Sequence, residues 1–295
     1  MQKIVPNLWF DQNIDQAADF YASALPNAHV QEGFSHPDTG EAITTDVVIE
    51  DYRITLINGG PYATPNSSIS FFLNFDPSQR QDAEADLKRV WNALTTDGEI
   101  LMELGEYPFS KLYGWVTDRY GFNWQLMLSN PDNEPRPFIV PSLMFCGAAQ
   151  GKATEAVDYY TELFDVAALG NRVTYETMGV AGDKNSPDTI PQPSHVVFSD
   201  FHIHNHWFAA ADSGVAQDIT FTPAVSFMLF VQDQLELDHY WNALSASPEV
   251  EQCGWLKDKF GLSWQIAPQN LPDLLSKPHG FENMLKMKKL VIDEF

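Results

Sequence analysis

Three histidines are the first group in the sequence whose spacing suggests chemistry. His202, His204 and His206 alternate in the segment DFHIHNHWF. On a continuous strand they would share one face, where imidazole nitrogens could hold a transition-metal ion. The matching place in the first half of the chain, Glu50-Asp51, predicts a turn at His204-Asn205. A turn there breaks the shared face, so we expect these histidines on the surface or in a turn.

Two glutamines form a second group, because they lie in a phrase that the chain contains twice. Residues 113–128 read YGWVTDRYGFNWQLML and residues 253–268 read CGWLKDKFGLSWQIAP, which places Gln125 and Gln265 at matching positions. A glutamine amide offers one acceptor oxygen and two donor hydrogens. We interpret both as residues that orient a neutral polar group of a ligand.

The rest of the repeated phrase is typical of scaffold. Asp258 and Gly261 suit the tight turn between two strands, since Asp and Gly stabilise such turns. Trp255 and Trp264 are interpreted as packing residues on a half-buried sheet.

Charge and composition exclude several classes of partner. The 295 residues include 17 Lys and Arg against 40 Asp and Glu, a formal net charge of −23. Such an acidic protein lacks the basic patch that nucleic acid or an anionic membrane requires. No apolar run approaches the roughly 18 residues of a membrane span. Two cysteines and an N-terminus without a signal-peptide pattern predict a cytoplasmic protein.

The chain is a duplication, and this organises its secondary structure. IVPNLWF at 4–10 returns as IVPSLMF at 139–145, and WNAL at 91–94 returns at 241–244. Hydrophobic periodicity predicts the order βαβββ twice in each copy, hence four modules. The predicted domains are residues 1–132 and 138–295, the second with a C-terminal helical tail, joined by a polar, Pro-rich linker at about 129–137.

Paired βαβββ modules with these phrases resemble the vicinal oxygen chelate superfamily, which includes glyoxalase I and extradiol dioxygenases. More narrowly, the chain is similar to the PhnB-like family, often labelled demethylubiquinone methyltransferase-like. The segments that carry the likeness, besides the repeated phrase, are LWF (8–10), AADFY (17–21), LINGGP (56–61), SISFFL (68–73), LDHYWNAL (237–244) and MLKMKKL (284–290).

The resemblance implies an α+β fold of two tandem domains. In each domain, paired modules would form a half-open barrel around a cavity, as in glyoxalase and bleomycin-resistance proteins. A typical family member has one such domain and pairs as a homodimer. This chain would therefore contain a pseudo-dimer, and would itself be a monomer or a homodimer.

Metal enzymes of the superfamily carry His or Glu on the first and last strands of their modules, and the resemblance allows each place to be checked. The matching residues are Val5 and Val140, Ser70 and Ser226, Gln125 and Gln265, and, near the end of the fourth strand, Thr55 or Asn58 and Ala209 or Asp212. Valine cannot ligate, and Ser and Gln oxygens are weak partners for a transition ion. We expect no metal and no other cofactor.

Strand alternation adds the remaining residues that would face the cavity. The ligand-binding candidates are Asn7, Trp9, Asn58, Ser70, Gln125, Met127, Ser142, Met144, Ser226 and Gln265.

Two functions stay open. One is a protein that binds a small molecule, aromatic or amphipathic. The other is a metal-independent enzyme of the lyase or isomerase type that uses Gln, Asn or a nearby carboxylate. Methyl transfer from S-adenosylmethionine would need a doubly wound sheet with a Gly-rich first turn, and the sequence predicts neither. No catalytic residue is assigned.

Overall fold

The computed structural model describes residues 2–132, 134–179 and 191–295. Within them the chain forms fifteen β-strands and six α-helices in four modules. Module 1 contains β1 (Ile4–Phe10), α1 (Ile14–Ala24), β2 (Ala28–Glu32), β3 (Thr44–Ile49) and β4 (Tyr52–Asn58); module 2 contains β5 (Ile69–Phe75), α2 (Ala83–Thr95), β6 (Glu99–Tyr107), β7 (Ser110–Thr117) and β8 (Asn123–Leu128). Both follow the predicted βαβββ order.

The second half of the chain repeats this order with one difference. Module 3 contains β9 (Ile139–Phe145), α3 (Ala153–Leu163), β10 (Ala167–Thr174), β11 (Val196–Ile203) and β12 (His206–Asp212). Module 4 contains β13 (Val225–Val231), α4 (Gln234–Leu244), β14 (Trp255–Lys257) and β15 (Ser263–Pro268), followed by α5 (Leu271–Leu275) and α6 (Gly280–Lys286). Its helix is followed by two strands, so the prediction of three is wrong for this module.

The modules combine across the repeat. One compact unit consists of residues 1–65 and 222–295, and the other of residues 66–221. Unit 1 carries a seven-stranded sheet in the order β14-β15-β13-β1-β4-β3-β2, and unit 2 an eight-stranded sheet in the order β10-β11-β12-β9-β5-β8-β7-β6. Neither sheet closes into a barrel. Each unit thus takes one module from each sequence repeat, the arrangement expected of two paired copies that were joined into one chain.

The C-terminal tail supplies what module 4 lacks. In place of a strand before β14, the chain forms a 3₁₀ turn at Pro248–Val250. The edge is then held by the tail, because the backbone amides of Cys253 and Gly254 donate to the carbonyl oxygens of Met287 (2.8 Å) and Lys288 (2.7 Å). Gly254 has φ of 83°, and a Cβ there would lie 2.9 Å from the Ile266 carbonyl oxygen and 3.1 Å from Leu290. The glycine lets the tail close on the sheet.

The tight turn of the repeated phrase is built by a buried aspartate. Asp258 is 2% exposed, and its Oδ1 accepts from the backbone amides of Phe260 (2.9 Å) and Leu262 (3.0 Å). Its Oδ2 accepts from the Trp264 indole Nε1–H at 2.9 Å, and Gly261 supplies φ of 91°. Asp118 makes the same bonds in unit 2. The prediction that Asp258, Gly261 and Trp264 are scaffold is confirmed.

One contact shows which face of the unit 1 sheet looks away from its helices. The Thr45 hydroxyl lies 3.3 Å from the Asp15 carboxylate on α1, so Thr45 faces that helix. Adjacent residues of a strand point to opposite faces, which turns Asp46 away from α1. Residues in register with Asp46 on neighbouring strands share its face, which is called the open face of unit 1 below.

None of the helices in the part of the chain that the structure describes is long and apolar enough to cross a membrane.

Candidate functional site

Four polar side chains form a row across the open face of unit 1. Asn7 on β1 is in register with Ser226 on β13 and with Thr55 on β4, and Thr55 is in register with Asp46 on β3. Neighbouring strands lie about 4.8 Å apart, so the row spans roughly 14 Å. All four are buried: Asn7 is 1% exposed and Ser226 is 0% exposed. We call these residues the polar row.

Hydrogen bonds leave one end of the polar row unsatisfied. Neither Nδ2 nor Oδ1 of Asn7 has a hydrogen-bond partner, and the same holds for Ser226 Oγ. Gln265 on β15 faces the same side, because it is in register with Met228, two residues beyond Ser226. Its Oε1 is also unpartnered, while its Nε2 donates to the Cys253 carbonyl oxygen at 3.3 Å. A buried polar group left without a partner costs about 1–3 kcal/mol, so this cluster needs an explanation.

Two tryptophans stand beside this cluster. Trp9 follows Asn7 on the same face, and Trp255 is in register with Gln265. Their rings meet edge to face with centroids 5.7 Å apart, and both are half-buried. Trp9 is fixed, because its Nε1–H donates to the Gly60 carbonyl oxygen at 2.8 Å and a Cβ at Gly59 would lie 2.2 Å from its ring. The tryptophans thus form an aromatic wall in which Trp9 is held in place.

The other end of the polar row holds a carboxyl group. Asp46, 6% exposed, accepts from the Thr55 hydroxyl at 2.5 Å and from Arg53 Nη1 at 3.4 Å. Burial raises the pKa of Asp46, and the bonds from Thr55 and the charge of Arg53 act against that rise. The face therefore changes from neutral and unsatisfied at Asn7 to acidic and satisfied at Asp46.

Unit 2 has the matching glutamine in a different state. Gln125 Nε2 donates to Ser70 Oγ at 2.7 Å, and Gln125 Oε1 accepts from the Tyr113 hydroxyl at 2.5 Å. Ser70 is in register with Ser142 on β9, as Ser226 is with Asn7 in unit 1. Unit 2 thus satisfies its own glutamine from within the fold.

The aspartate at the far end of unit 2 is also satisfied. Asp200 is in register with Ala209, as Asp46 is with Thr55. It accepts from Arg136 Nε at 2.9 Å and from the backbone amide of Asn171. The Arg136 guanidinium lies 4.0 Å from the centroid of the Trp207 ring. In unit 2, both the glutamine and the aspartate are therefore hydrogen-bonded by groups of the unit itself.

The predicted ligand-binding residues divide between the units. Asn7, Trp9, Ser226 and Gln265 lie together on the open face of unit 1. Ser70, Gln125, Ser142, Met127 and Met144 lie in unit 2, where Met127 is in register with Tyr113 and Met144 with Ala211. Asn58 does not join its group: it is exposed, in register with Phe10, and on the helix side of the sheet. Two residues, Thr55 and Asn58, were predicted for the position near the end of the fourth strand. Of the two, Thr55 lies on the open face.

The histidines do not make a metal site. His204 has φ of 53° in the turn between β11 and β12, as predicted, and His202 Nδ1 lies 2.9 Å from its carbonyl oxygen. His206 departs from the surface location, since it is 6% exposed and burial lowers its pKa to about 4. Across residues 2–132, 134–179 and 191–295, no group of three His, Cys, Asp or Glu side chains could hold a metal ion.

The superfamily's usual metal position falls on the open face of unit 1. Val5 is in register with Met228, which is in register with Gln265, and the next residues on the same face of β1 and β13 are Asn7 and Ser226. A valine, a thioether and neutral oxygens make a poor donor set for a divalent transition ion. The residues present do not fit that metal.

Unit 1 also has a surface cleft of about 440 Å³, and its lining includes none of the residues of the polar row. Its lining includes Gln232, Asp233, Gln269 and Asn270. Asp233 is already used there as the N-cap of α4, where it accepts from the Glu236 amide at 2.9 Å. The cleft has no unpartnered buried polar group, and the chemistry points instead to the open face.

The fold of the chain is similar to that of a protein of solved structure. Glyoxalase I from Zea mays matches it with a TM-score of 0.51 over 88% of this chain and 90% of that one, at 11% identity. That likeness establishes the fold alone: two glyoxalase-like units built from paired modules.

Sequence places the chain more narrowly. A family model described as 3-demethylubiquinone-9 3-methyltransferase matches residues 2–127 and 137–267. The chain belongs to this PhnB-like family, in two tandem copies. A Bacillus cereus protein described as a putative 3-demethylubiquinone-9 3-methyltransferase, PhnB protein, is 28% identical over 43% of this chain and 100% of its own, with a TM-score of 0.39. A Pseudomonas aeruginosa protein is 23% identical over 44% and 98%, with a TM-score of 0.37. No curated protein matches.

Sequence reasoning missed three residues of the face. Asp46 lies in an apolar strand, TTDVVI, where alternation alone does not show the burial of its carboxylate. Arg53 is recognised as part of the face only because it donates a hydrogen bond to Asp46. Trp255 was interpreted as packing, yet it shares the face of Gln265; the β14–β15 register was the signal that could have found it.

Proposed function

We propose that this protein binds a small, uncharged molecule on the open face of unit 1. The observation that carries the proposal is the group of unpartnered atoms on Asn7, Ser226 and Gln265. Buried polar groups in folded proteins are nearly always hydrogen-bonded, so three side chains unsatisfied at one place indicate a missing partner. A ligand that donates to and accepts from the Asn7 amide, with its apolar part against Trp9 and Trp255, supplies that partner.

Unit 2 is not expected to bind the ligand. Its glutamine is already bonded by Tyr113 and Ser70, and its aspartate by Arg136. A ligand there would have to displace bonds that the fold makes for itself. Binding is therefore assigned to unit 1.

A leucine at position 7 is expected to stabilise the empty protein and abolish binding. Asn7→Leu removes two unpartnered buried atoms and keeps a similar volume, so the free energy of unfolding should rise by about 1–2 kcal/mol. Urea denaturation measures this change. Native mass spectrometry should show a co-purified compound on the wild type and none on the variant.

The matched control is Asn123→Leu in unit 2. Asn123 Oδ1 accepts from Trp115 Nε1 at 3.2 Å and from the Thr117 hydroxyl at 3.1 Å, so this change should destabilise. If Asn7→Leu is as destabilising as Asn123→Leu, the Asn7 amide is structural and the proposed site is refuted.

Metal independence is part of the proposal. After dialysis against a chelator and then metal-free buffer, zinc, nickel and iron should each be well below one per chain, because the donor set does not fit them. Atomic emission spectrometry measures the content, and the bound compound should survive the treatment. One tightly held ion per unit, lost together with the compound, would contradict it.

One observation favours an enzyme as the second candidate. Asp46 is a buried carboxylate with a raised pKa in the same polar row, which suits a general base. Wild type and Asp46→Asn, produced in the same cells, separate the two: a binder retains the same compound in both. An enzyme retains different compounds, since the variant accumulates substrate; mass distinguishes substrate from product for a lyase, and chromatographic retention does so for an isomerase.

The methyl transfer named in the family description is not part of this proposal. S-adenosylmethionine-dependent methyl transfer of the usual kind uses a doubly wound parallel sheet. Both sheets mix parallel and antiparallel neighbours: β1 pairs antiparallel with β13 and parallel with β4, and β5 pairs antiparallel with β9 and parallel with β8.

A further inference from the structure

The two units differ at one residue beside the glutamine. In unit 2 the Tyr113 hydroxyl donates to Gln125 Oε1 at 2.5 Å. In the repeated phrase, the residue matching Tyr113 is Cys253. Gln265 Oε1 is buried in unit 1 and has no partner. A thiol is a weak donor, so the fold of unit 1 offers no equivalent of the tyrosine hydroxyl.

The tyrosine in unit 2 is held by a hairpin that unit 1 lacks. Tyr113 on β7 is 3% exposed and packs edge to face against Tyr107 at 5.4 Å and Phe109 at 5.0 Å between ring centroids. Burial raises the pKa of Tyr113, which keeps the hydroxyl protonated and able to donate. In unit 1 the strand matching β6 is absent and the tail at Met287–Lys288 takes the edge. Position 253 therefore has neither the phenol nor its support.

We propose that the ligand of unit 1 carries a neutral phenolic hydroxyl that takes the place filled by the Tyr113 hydroxyl in unit 2. The ligand hydroxyl donates to Gln265 Oε1, as Tyr113 donates to Gln125 Oε1. Ser226 and Asn7 lie beside it and serve a second polar group, and Trp9 and Trp255 contact the ring. This inference rests on the proposed function and specifies the class of compound bound there.

The charges of the face favour the protonated phenol over a phenolate or a carboxylate. Gln265 Oε1 and Asn7 Oδ1 are acceptors and call for a donor. Asp46 lies at the other end of the polar row, and Arg53, the cation near it, is paired with that carboxylate at 3.4 Å. A phenolate or a carboxylate has no hydrogen to donate to Gln265 Oε1, and Arg53 is already paired with Asp46.

Three small probes of similar size test the inference: 4-methylphenol, toluene and benzamide. Each is titrated against the full chain, with binding followed by tryptophan fluorescence and ligand-observed NMR. We expect 4-methylphenol to bind at least tenfold more tightly than toluene, which lacks the hydroxyl, and more tightly than benzamide. Gln265→Leu, which keeps the volume and removes the acceptor, should erase the advantage over toluene.

Tyrosine exchange between the units gives the matched pair. Cys253 has φ of 53°, so Cys253→Tyr carries backbone strain; the folded variant should fill the site and abolish 4-methylphenol binding. Tyr113→Ala should leave a phenol-shaped space beside Gln125, so a second equivalent of 4-methylphenol binds and raises the lowered melting temperature. Should Cys253→Tyr fail to fold, Gln265→Leu and Tyr113→Ala still decide the outcome.

The protonation state is read with 4-nitrophenol, whose phenolate is coloured and which titrates near neutral pH. Protein should lower the phenolate absorbance at a fixed pH, because the site takes up the protonated form. An increase in absorbance would overturn the neutral-donor assignment.

The remaining outcomes separate the two levels of inference. If benzamide or toluene binds as tightly as 4-methylphenol and Asn7→Leu abolishes that binding, the site stands and the phenol is refuted. If none of the probes binds and the purified protein carries no compound, both the site and the phenol are refuted.

Discussion

Asp258→Ala is expected to lower the free energy of unfolding of unit 1 by about 3–5 kcal/mol, the largest stability effect of any single change considered. The carboxylate is buried and holds the amides of Phe260 and Leu262 and the indole N–H of Trp264. Its removal leaves all of these donors without an acceptor in a turn that sets the direction of β15. Urea denaturation followed by tryptophan fluorescence measures the loss.

Two controls accompany this measurement. Glu249→Ala removes a carboxylate of the same module that is exposed, and should change stability by less than about 0.5 kcal/mol. Asp118→Ala removes the same buried bonds from unit 2 and should cost a similar amount there. A loss below about 1 kcal/mol for Asp258→Ala would contradict the scaffold role of the repeated phrase.

The two glutamines are expected to respond in opposite ways to replacement by alanine. Gln125→Ala leaves the buried Tyr113 hydroxyl without its acceptor and Ser70 without its donor, so unit 2 should lose about 2–3 kcal/mol while 4-methylphenol binding stays unchanged. Gln265→Ala removes an oxygen that has no partner and a weak bond of 3.3 Å to the Cys253 carbonyl oxygen. Its stability should change by less than about 1 kcal/mol, while binding weakens about tenfold.

Denaturation curves and probe titrations on the same two preparations make this comparison. The sequence hypothesis treats both glutamines alike, as residues that orient a ligand. Equal stability changes in the two variants would favour that hypothesis over the distinction drawn from Tyr113. Loss of 4-methylphenol binding in Gln125→Ala alone would move the site to unit 2.

Local features of this fold are predictable from sequence because their causes are local. The strand Ile4–Phe10, the buried face of α1 and the Asp258 turn each follow from residues within a short segment. The turn at His204 follows in the same way, from its match to Glu50-Asp51, and both His204 and Glu50 have positive φ.

Which module pairs with which is a different kind of fact. β5 and β13 have similar sequences, ISFFLNF and VSFMLFV, so either is a chemically suitable neighbour for β1. In the structure, β1 pairs with β13 and β5 pairs with β9. The sequence repeat locates the linker at about 129–137, but the compact units divide near residues 65 and 222. No single segment contains the information that makes this choice.

The residues of the candidate site were predictable from sequence. Whether their polar atoms have hydrogen-bond partners was not. Alternation placed Asn7, Trp9 and Gln265 on one side of their strands, which the register supports. Whether a buried amide is satisfied depends on a hydroxyl from another strand, as Tyr113 shows. The difference between tyrosine and cysteine in the repeated phrase is visible in the sequence, but its meaning requires the hydrogen bonds.

The division of the units also decides which unit can fold first during synthesis. Residues 66–221 are contiguous, so unit 2 has its whole sheet available before the last quarter of the chain is made. Unit 1 can pair one edge of β1 with β4 early, but the other edge waits until β13 emerges, since Ile4 pairs with Leu229. Domains generally fold as units while the chain is made, and closing so long a loop is slow. Ser226 and Gln265 arrive with that final segment, so a ribosome that stops early leaves a folded half without the proposed site.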